Sequence, residues 1–271
     1  MFDCRRYFLL TLLLFAGAFA CSKSGSVSAE ETASGAHNAA LASGNSESLE
    51  SQLDYVEVIT GGVGPEARLP MIIAIHGLGD SPEGFASLMK GFKEPARVIL
   101  PRGPEAYHNG YSWFPIRGAN WDDGAWVDEL SRSASRIASL IKTLNRRRPT
   151  KGKALVMGFS QGGMLTFTLA AHHPEVVGLA LPIGGFLPKS LTPDKGSVPS
   201  MPRMLAFNGE ADTIIPFRLA LDTLKRLKPL GADMKLNGFP KVAHRIPPPM
   251  RASIYAEVEA YLDSLEEVNA P

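Results

Sequence analysis

The apolar residues Ala154-Leu155-Val156-Met157 run directly into Gly158-Phe159-Ser160-Gln161-Gly162-Gly163, and a second apolar run, Met164 to Ala171, follows at once. No other stretch restricts the fold as strongly. The first run reads as a strand buried on both faces and the second as a buried helix, which leaves room only for a sharp turn between them. Glycines flank the serine because the chain crowds its neighbours there and the serine backbone is strained. The turn lifts the Ser160 hydroxyl clear of a sheet and sets it at the positive end of a helix. A hydroxyl so placed is a candidate nucleophile, provided a base, an orienting acid and donors to a developing negative charge lie within reach.

Tyr55–Ile59 alternates as an edge strand does, further apolar runs occur at Met71–Ile75, Val98–Leu100, Gly178–Ile183 and Met204–Phe207, and a weaker strand candidate lies at Asp233–Phe239. Helical patterns lie between them at Ser81–Gly91, Asp128–Leu144, Met164–His173, Arg218–Leu227 and Met250–Leu265. In the second of these, Leu130, Ile137, Leu140, Ile141 and Leu144 share roughly one face. Strands alternating with helices predict a mostly parallel sheet covered on both sides, as one domain over residues 53–268.

Of the six histidines, position removes most as partners of Ser160. His37 lies in a polar segment, and His108 in a loop before the turn. His172 and His173 end the helix that starts at the turn, about 18 Å away at about 1.5 Å rise per residue. His76 ends an earlier strand and is expected to hold its loop. His244 remains, after the weak strand and before the last helix, where an imidazole reaches the top of the sheet as general base. Its orienting acid is expected from the loop Asn208-Gly209-Glu210-Ala211-Asp212, with Asp212 preferred because the loop must clear the sheet edge before turning back. Glu210 and the more distant Asp194 are the rivals. The oxyanion donors are expected to be the backbone N–H of Gln161 and one from His76-Gly77-Leu78-Gly79-Asp80, with Leu78 preferred over Gly77.

All three tryptophans, Trp113, Trp121 and Trp126, fall in one stretch that also holds Tyr107, Tyr111 and Phe114. They form either satellite core or a wall over the substrate, and Trp113 and Phe114 are the expected lining residues. The connection from Ile183 to Met204 is too short for a separate cap domain, so the site is expected to be open to solvent.

The N-terminus reads as an export leader. Arg5-Arg6 precedes an almost unbroken apolar stretch from Phe8 to Ala20, shorter than the about 20 residues a permanent span requires. Ala18-Phe19-Ala20 fits ordinary signal cleavage. Cys21 also sits where a bacterial lipoprotein is acylated, and the region resembles a lipobox. One of only two cysteines stands there, and residues 22–51 are rich in Ser, Ala, Gly, Glu and Asn, as a flexible tether is. Residues 1–20 are therefore expected to be a signal peptide and 21–52 a tether lipidated at Cys21, holding the protein to a membrane in the periplasm or at the cell surface. Without lipidation it would be a soluble exported protein. Cys4 lies in the leader, which leaves no internal disulfide. A net charge of +1 argues against a nucleic-acid partner.

Gly-Phe-Ser-Gln-Gly-Gly-Met, with His-Gly-Leu-Gly-Asp upstream and Asn-Gly-Glu-Ala-Asp-Thr-Ile-Ile-Pro at 208–216, resembles the phospholipase/carboxylesterase family of α/β-hydrolases, which includes the acyl-protein thioesterases. The order Ser160, Asp212, His244 is also the α/β-hydrolase order. The resemblance covers about residues 55–265. It implies an α/β-hydrolase fold without a large cap, Ser160, Asp212 and His244 as a triad, a small-molecule ester or acyl substrate, and chemistry without metal or cofactor. Thioesterase or lysophospholipase activity is the near alternative. A serine peptidase or a non-catalytic ligand-binding lipoprotein is further off. Around the histidine, Ala243 stands where the family usually has glycine, and Arg245-Ile246-Pro247-Pro248-Pro249 follows.

Overall fold

The alternation of apolar runs and helical patterns becomes strand and helix in turn. The structure is a computed structural model that describes residues 53–115, 124–196 and 200–267. The expected leader 1–20, the tether with Cys21 and Trp121 lie outside the described residues. The first half of the chain forms β1 (Tyr55–Ile59), β2 (Leu69–Ile75), α1 (Pro82–Phe85), β3 (Arg97–Pro101), β4 (Glu105–Tyr107) and β5 (Gly110–Ser112). It continues with α2 (Gly124–Arg147), β6 (Thr150–Phe159), α3 (Gln161–His172), β7 (Val177–Ile183), β8 (Arg203–Gly209), α4 (Phe217–Leu227), β9 (Met234–Phe239) and α5 (Pro248–Glu267).

Seven of these strands form one sheet in the order β1-β3-β2-β6-β7-β8-β9, and β4 and β5 form a separate hairpin. Within the seven-stranded sheet only β1, on the edge, runs antiparallel to its neighbour. The fold is an α/β-hydrolase fold. Both faces are covered, and alternation along each strand divides the residues between two cores. Met71, Ile73 and Ile75 of β2 join Ala154 and Val156 of β6 against α2 and α3. Ile72 and Ala74 join Leu155 and Met157 against α5 and the α1 segment. Helix α3 is buried from Gln161 to Ala171, as its apolar composition all round requires.

The structure departs from the pattern at two elements. The single helix expected over 81–91 is a short α1, capped by Ser81 Oγ accepting from Gly84 N–H at 3.0 Å, followed by a 3₁₀ turn at Ala86–Met89. Phe85, Leu88, Met89 and Phe92 all enter one core, and the tighter turn brings that spacing to a common face. Strand β9 reads weakly because it is an edge strand in which only Met234 is buried.

The topology also places the site. From β2 the chain goes to β3 on one side of the sheet, and from β6 to β7 on the other. The loops after β2 and β6 therefore diverge from neighbouring strands and leave a crevice at their carboxyl ends.

Candidate active site

Ser160 joins β6 to α3 with φ 57° and ψ −114°, a conformation an L-residue holds only under constraint. Its N–H donates to Ile183 O at 3.0 Å, and its carbonyl accepts from Met164 N–H at 3.0 Å. The neighbouring glycines permit the approach. A Cβ on Gly162 would run into the Ile75 carbonyl, and one on Gly163 would stand 2.5 Å from the Ile183 oxygen. The glycines thus let α3 start directly on the backbones of β2 and β7.

His244 lies between β9 and α5, at the centre of a tight turn closed by Arg245 N–H donating to Ala243 O at 2.8 Å. Its Nδ1–H donates to Asp212 Oδ2 at 2.7 Å. That bond fixes the tautomer and leaves Nε2 to accept from the Ser160 hydroxyl at 2.9 Å. Asp212 is 6 % exposed. Its Oδ1 accepts from Ile214 N–H and Ile215 N–H, both at 2.9 Å. Backbone bonds hold the two loops together, with Ala211 N–H on Val242 O and Glu210 N–H on Phe239 O, each at 3.0 Å. The rival acid Glu210 instead lies over β9, where its Oε1 stands 2.5 Å from the place a Cβ on Gly238 would take. The Phe159 ring lies 4.6 Å from the His244 ring, centroid to centroid.

The loop after β2 passes beside the serine: a Cβ on Gly77 would stand 3.2 Å from Ser160 Cβ. Leu78 and Gln161 both border the same cavity. Among the described residues neither backbone N–H meets a protein acceptor, and Gln161 stands in the first turn of α3, where such donors are free by construction. His76 is fully buried. It accepts from Gly103 N–H at Nε2 (3.1 Å), so Nδ1–H donates to Gly77 O (2.8 Å).

The expected wall residues have a different place. Trp113 and Phe114 are 1 % and 0 % exposed, and neither borders the cavity. The β4–β5 hairpin turns this segment inward, so that Phe114 packs 5.7 Å from Trp126 of α2 and Trp113 lies against the His76 ring. Contacts that sequence reasoning missed come from the Gln161 side chain. Its Oε1 accepts from Trp113 N–H at 3.0 Å, and its Nε2 donates to Phe114 O at 2.8 Å. A buried amide needs such partners, and a glutamine in the first turn of an apolar helix is the signal that could have revealed them.

The cavity beside Ser160 has a volume of about 280 Å³ and is lined mainly by Leu78, Phe159, Met164, Ile214 and Ile215. Met164 and Ile215 form its buried part, while Ile214 is 59 % and Leu78 37 % exposed at the rim. Among the described residues, Asp80 is the acidic one that borders it.

Burial holds the His76 imidazole below its ordinary value of 6.5, and half-buried His173 is lowered for the same reason. The unfolded chain therefore takes up protons near pH 6.5 before the folded one does, and stability falls as pH drops below that value. The expected melting temperature is flat above about pH 7 and declines between about pH 6.5 and 5, above the ordinary carboxylate range. In His173→Gln the decline should shrink but persist, the remainder belonging to His76. A flat profile in that variant would contradict a neutral buried His76.

A sequence profile of the phospholipase/carboxylesterase family matches residues 55–261. Acyl-protein thioesterase 1 of Gibberella zeae is 26% identical over 215 residues, which cover 70% of this chain and 88% of that protein. A probable inactive carboxylesterase of Oryza sativa subsp. japonica is 24% identical over 194 residues, 66% of this chain and 79% of its own. Among solved structures, esterase PE8 shares the fold with a TM-score of 0.67 at 19% identity, over 77% of this chain and 99% of its own.

Proposed function

The chain belongs to the phospholipase/carboxylesterase family, a group of esterases and thioesterases among the α/β-hydrolase serine hydrolases, and from that premise we propose that it cleaves carboxylic esters through an acyl-enzyme on Ser160. The observation that carries the reading is the unbroken chain from Ser160 through His244 to Asp212, with links of 2.9 and 2.7 Å, opening onto an apolar cavity.

In the proposed reaction His244 Nε2 takes the Ser160 proton as Oγ attacks the ester carbonyl carbon. Asp212 stabilises the imidazolium that results. The oxygen that becomes negative is held by the N–H groups of Leu78 and Gln161, aided by the positive end of α3. The imidazolium then returns its proton to the departing alcohol, leaving acyl-Ser160. Water, deprotonated by His244, attacks that ester and releases the acid. A thioester follows the same path with a thiol as leaving group, and the Gibberella relative named acyl-protein thioesterase 1 supports testing both. The intact hydrogen-bonded chain favours an enzyme over a binding protein, although one relative is named as inactive.

The cavity is smaller than the usual range of about 300–1,000 Å³ for drug-sized ligands, and its mouth is open. Short and medium acyl groups fit it better than long ones. A fluorophosphonate probe should label Ser160 stoichiometrically by intact mass, and matched ester and thioester series should show turnover falling with acyl length. Absence of label on Ser160 would overturn the reading.

We also propose that the mature protein is exported and held to a membrane by lipid on Cys21, which rests on the leader, the cysteine at its end and the polar tether. Mass analysis of the membrane-extracted protein should show acyl mass on Cys21. A chain starting at Cys21 without added mass would refute the anchor.

A further inference from the structure

We infer that Trp113 is a positioning residue that locks the two oxyanion donors into one rigid unit, an inference that rests on the proposed roles of Leu78 and Gln161. Each hydrogen-bonding group of this residue is engaged. Its N–H donates to Gln161 Oε1 at 3.0 Å, its carbonyl accepts from Ser133 Oγ–H at 2.8 Å, and its indole Nε1–H donates to His76 O at 3.0 Å. The side chain is sealed from water at 1 % exposure, so none of these bonds can be exchanged for a solvent bond.

The two ends of this strut are the two donor segments. The His76 carbonyl belongs to the peptide that leads into Gly77 and Leu78, so holding it fixes the plane from which the loop departs. The loop needs such support. Gly77 and Gly79 have no side chains with which to anchor it; beyond Leu78 the backbone is held by Gly79 N–H donating to Tyr111 O at 2.9 Å, with Gly79 at φ +77°, and Trp113 secures the end before Leu78. At the other end, Gln161 is bound by its side chain to the backbone of Trp113 and Phe114. The path Leu78–Gly77–His76–Trp113–Gln161 therefore crosses the crevice beneath the serine. The His76 ring lies 5.1 Å from the Trp113 ring, tilted by 36°, which closes the packing around the first bond.

Donors help only as far as they already stand where the oxyanion will form. Cutting the strut should weaken transition-state stabilisation and leave ground-state binding intact, so kcat falls while KM stays. Trp113→Phe fills most of the same space but removes the donor to His76. Gln161→Met removes the acceptor for Trp113 N–H and keeps its own backbone N–H.

The test is a kinetic cycle on a short p-nitrophenyl ester, joined to the affinity for n-butylboronic acid, whose tetrahedral adduct on serine imitates the transition state. Each single variant should lose about 10-fold in kcat and about 10-fold in boronate affinity, with KM within about twofold of wild type. The double variant should lose no more than the worse single, because either cut opens the same path. Losses that multiply to about 100-fold, or a changed KM with unchanged kcat, would overturn the inference. If Trp113→Phe shows no cooperative melting, Gln161→Met alone decides: unchanged kcat and boronate affinity overturn the coupling. Ser160→Ala is measured alongside. Activity surviving in that variant sinks the proposed function. Its loss, with wild-type kcat in the Trp113 and Gln161 variants, sinks only this inference.

Discussion

Ser160→Ala is expected to hydrolyse a short p-nitrophenyl ester on the order of 10⁶-fold more slowly than the wild type, with an unchanged melting temperature. Alanine keeps the Cβ that already occupies the turn and adds no atom to it, so the φ of 57° is no harder to hold. The hydroxyl it removes has one partner, His244 Nε2, and leaves no buried donor stranded. His244→Ala should cost about as much as Ser160→Ala, and the double variant no more, because nucleophile and base act as a unit. Kinetics with stopped-flow or long-incubation assays, after purification from a host lacking background esterase, would measure this. Retention of more than about 1 % of wild-type kcat in Ser160→Ala would place the nucleophile elsewhere.

Asp212→Asn is the second large effect and the more instructive one. The side chain changes by a single atom type, yet its orientation is dictated. Oδ1 faces two backbone donors, Ile214 N–H and Ile215 N–H, and an amide NH₂ turned toward them would oppose both. The asparagine must keep its oxygen there and point its NH₂ at His244. Nδ1 then becomes an acceptor, the ring proton moves to Nε2, and the imidazole presents a donor to Ser160 in place of a base. The expected loss in kcat is about 10³- to 10⁴-fold with little change in KM or melting temperature, as for the equivalent tautomer inversion in serine proteases. Asp212→Ala leaves the imidazole free to choose its tautomer and should also release the 214–215 turn, so it should lower the melting temperature as well. Near-wild-type activity in Asp212→Asn would show that the carboxylate does not set the tautomer.

How far these residues could be read in advance follows from where they sit. Ser160, Asp212 and His244 each follow a stretch that reads as a strand, so strand periodicity was enough to bring them to one end of a sheet. The order of that sheet was not legible, because pairing depends on contacts between distant segments, as between Ile75 and Gly158. Trp113 and Phe114 read either as satellite core or as a wall over the substrate, because an aromatic loop containing Gly and Pro allows both, and the structure makes them core. Their burial depends on the β4–β5 hairpin, in which Ala106 pairs with Tyr111. The two-residue loop of that hairpin is His108-Asn109, with His108 at φ 50°, and that pair is not one of the glycine-containing pairs that mark a hairpin in a sequence. Gln161 reads in the sequence only as a backbone donor. An amide in the first turn of an apolar helix tells that buried partners exist, but not that they lie in a segment 48 residues away.

The divergence of the loops after β2 and β6 has a consequence for how such a scaffold changes over time. Both proposed oxyanion donors belong to these two neighbouring strands and are tied through Trp113, whereas the connections after β7 and β9 approach the site from one side. Residues 188–196 and 245–249 can alter in length or charge without moving either donor. Arg245-Ile246-Pro247-Pro248-Pro249 is such an alteration, taken up beside His244 while the 2.9 Å link to Ser160 is kept. The reaction is thereby insulated from selection on the substrate, and diversity within this architecture should accumulate in those two segments first.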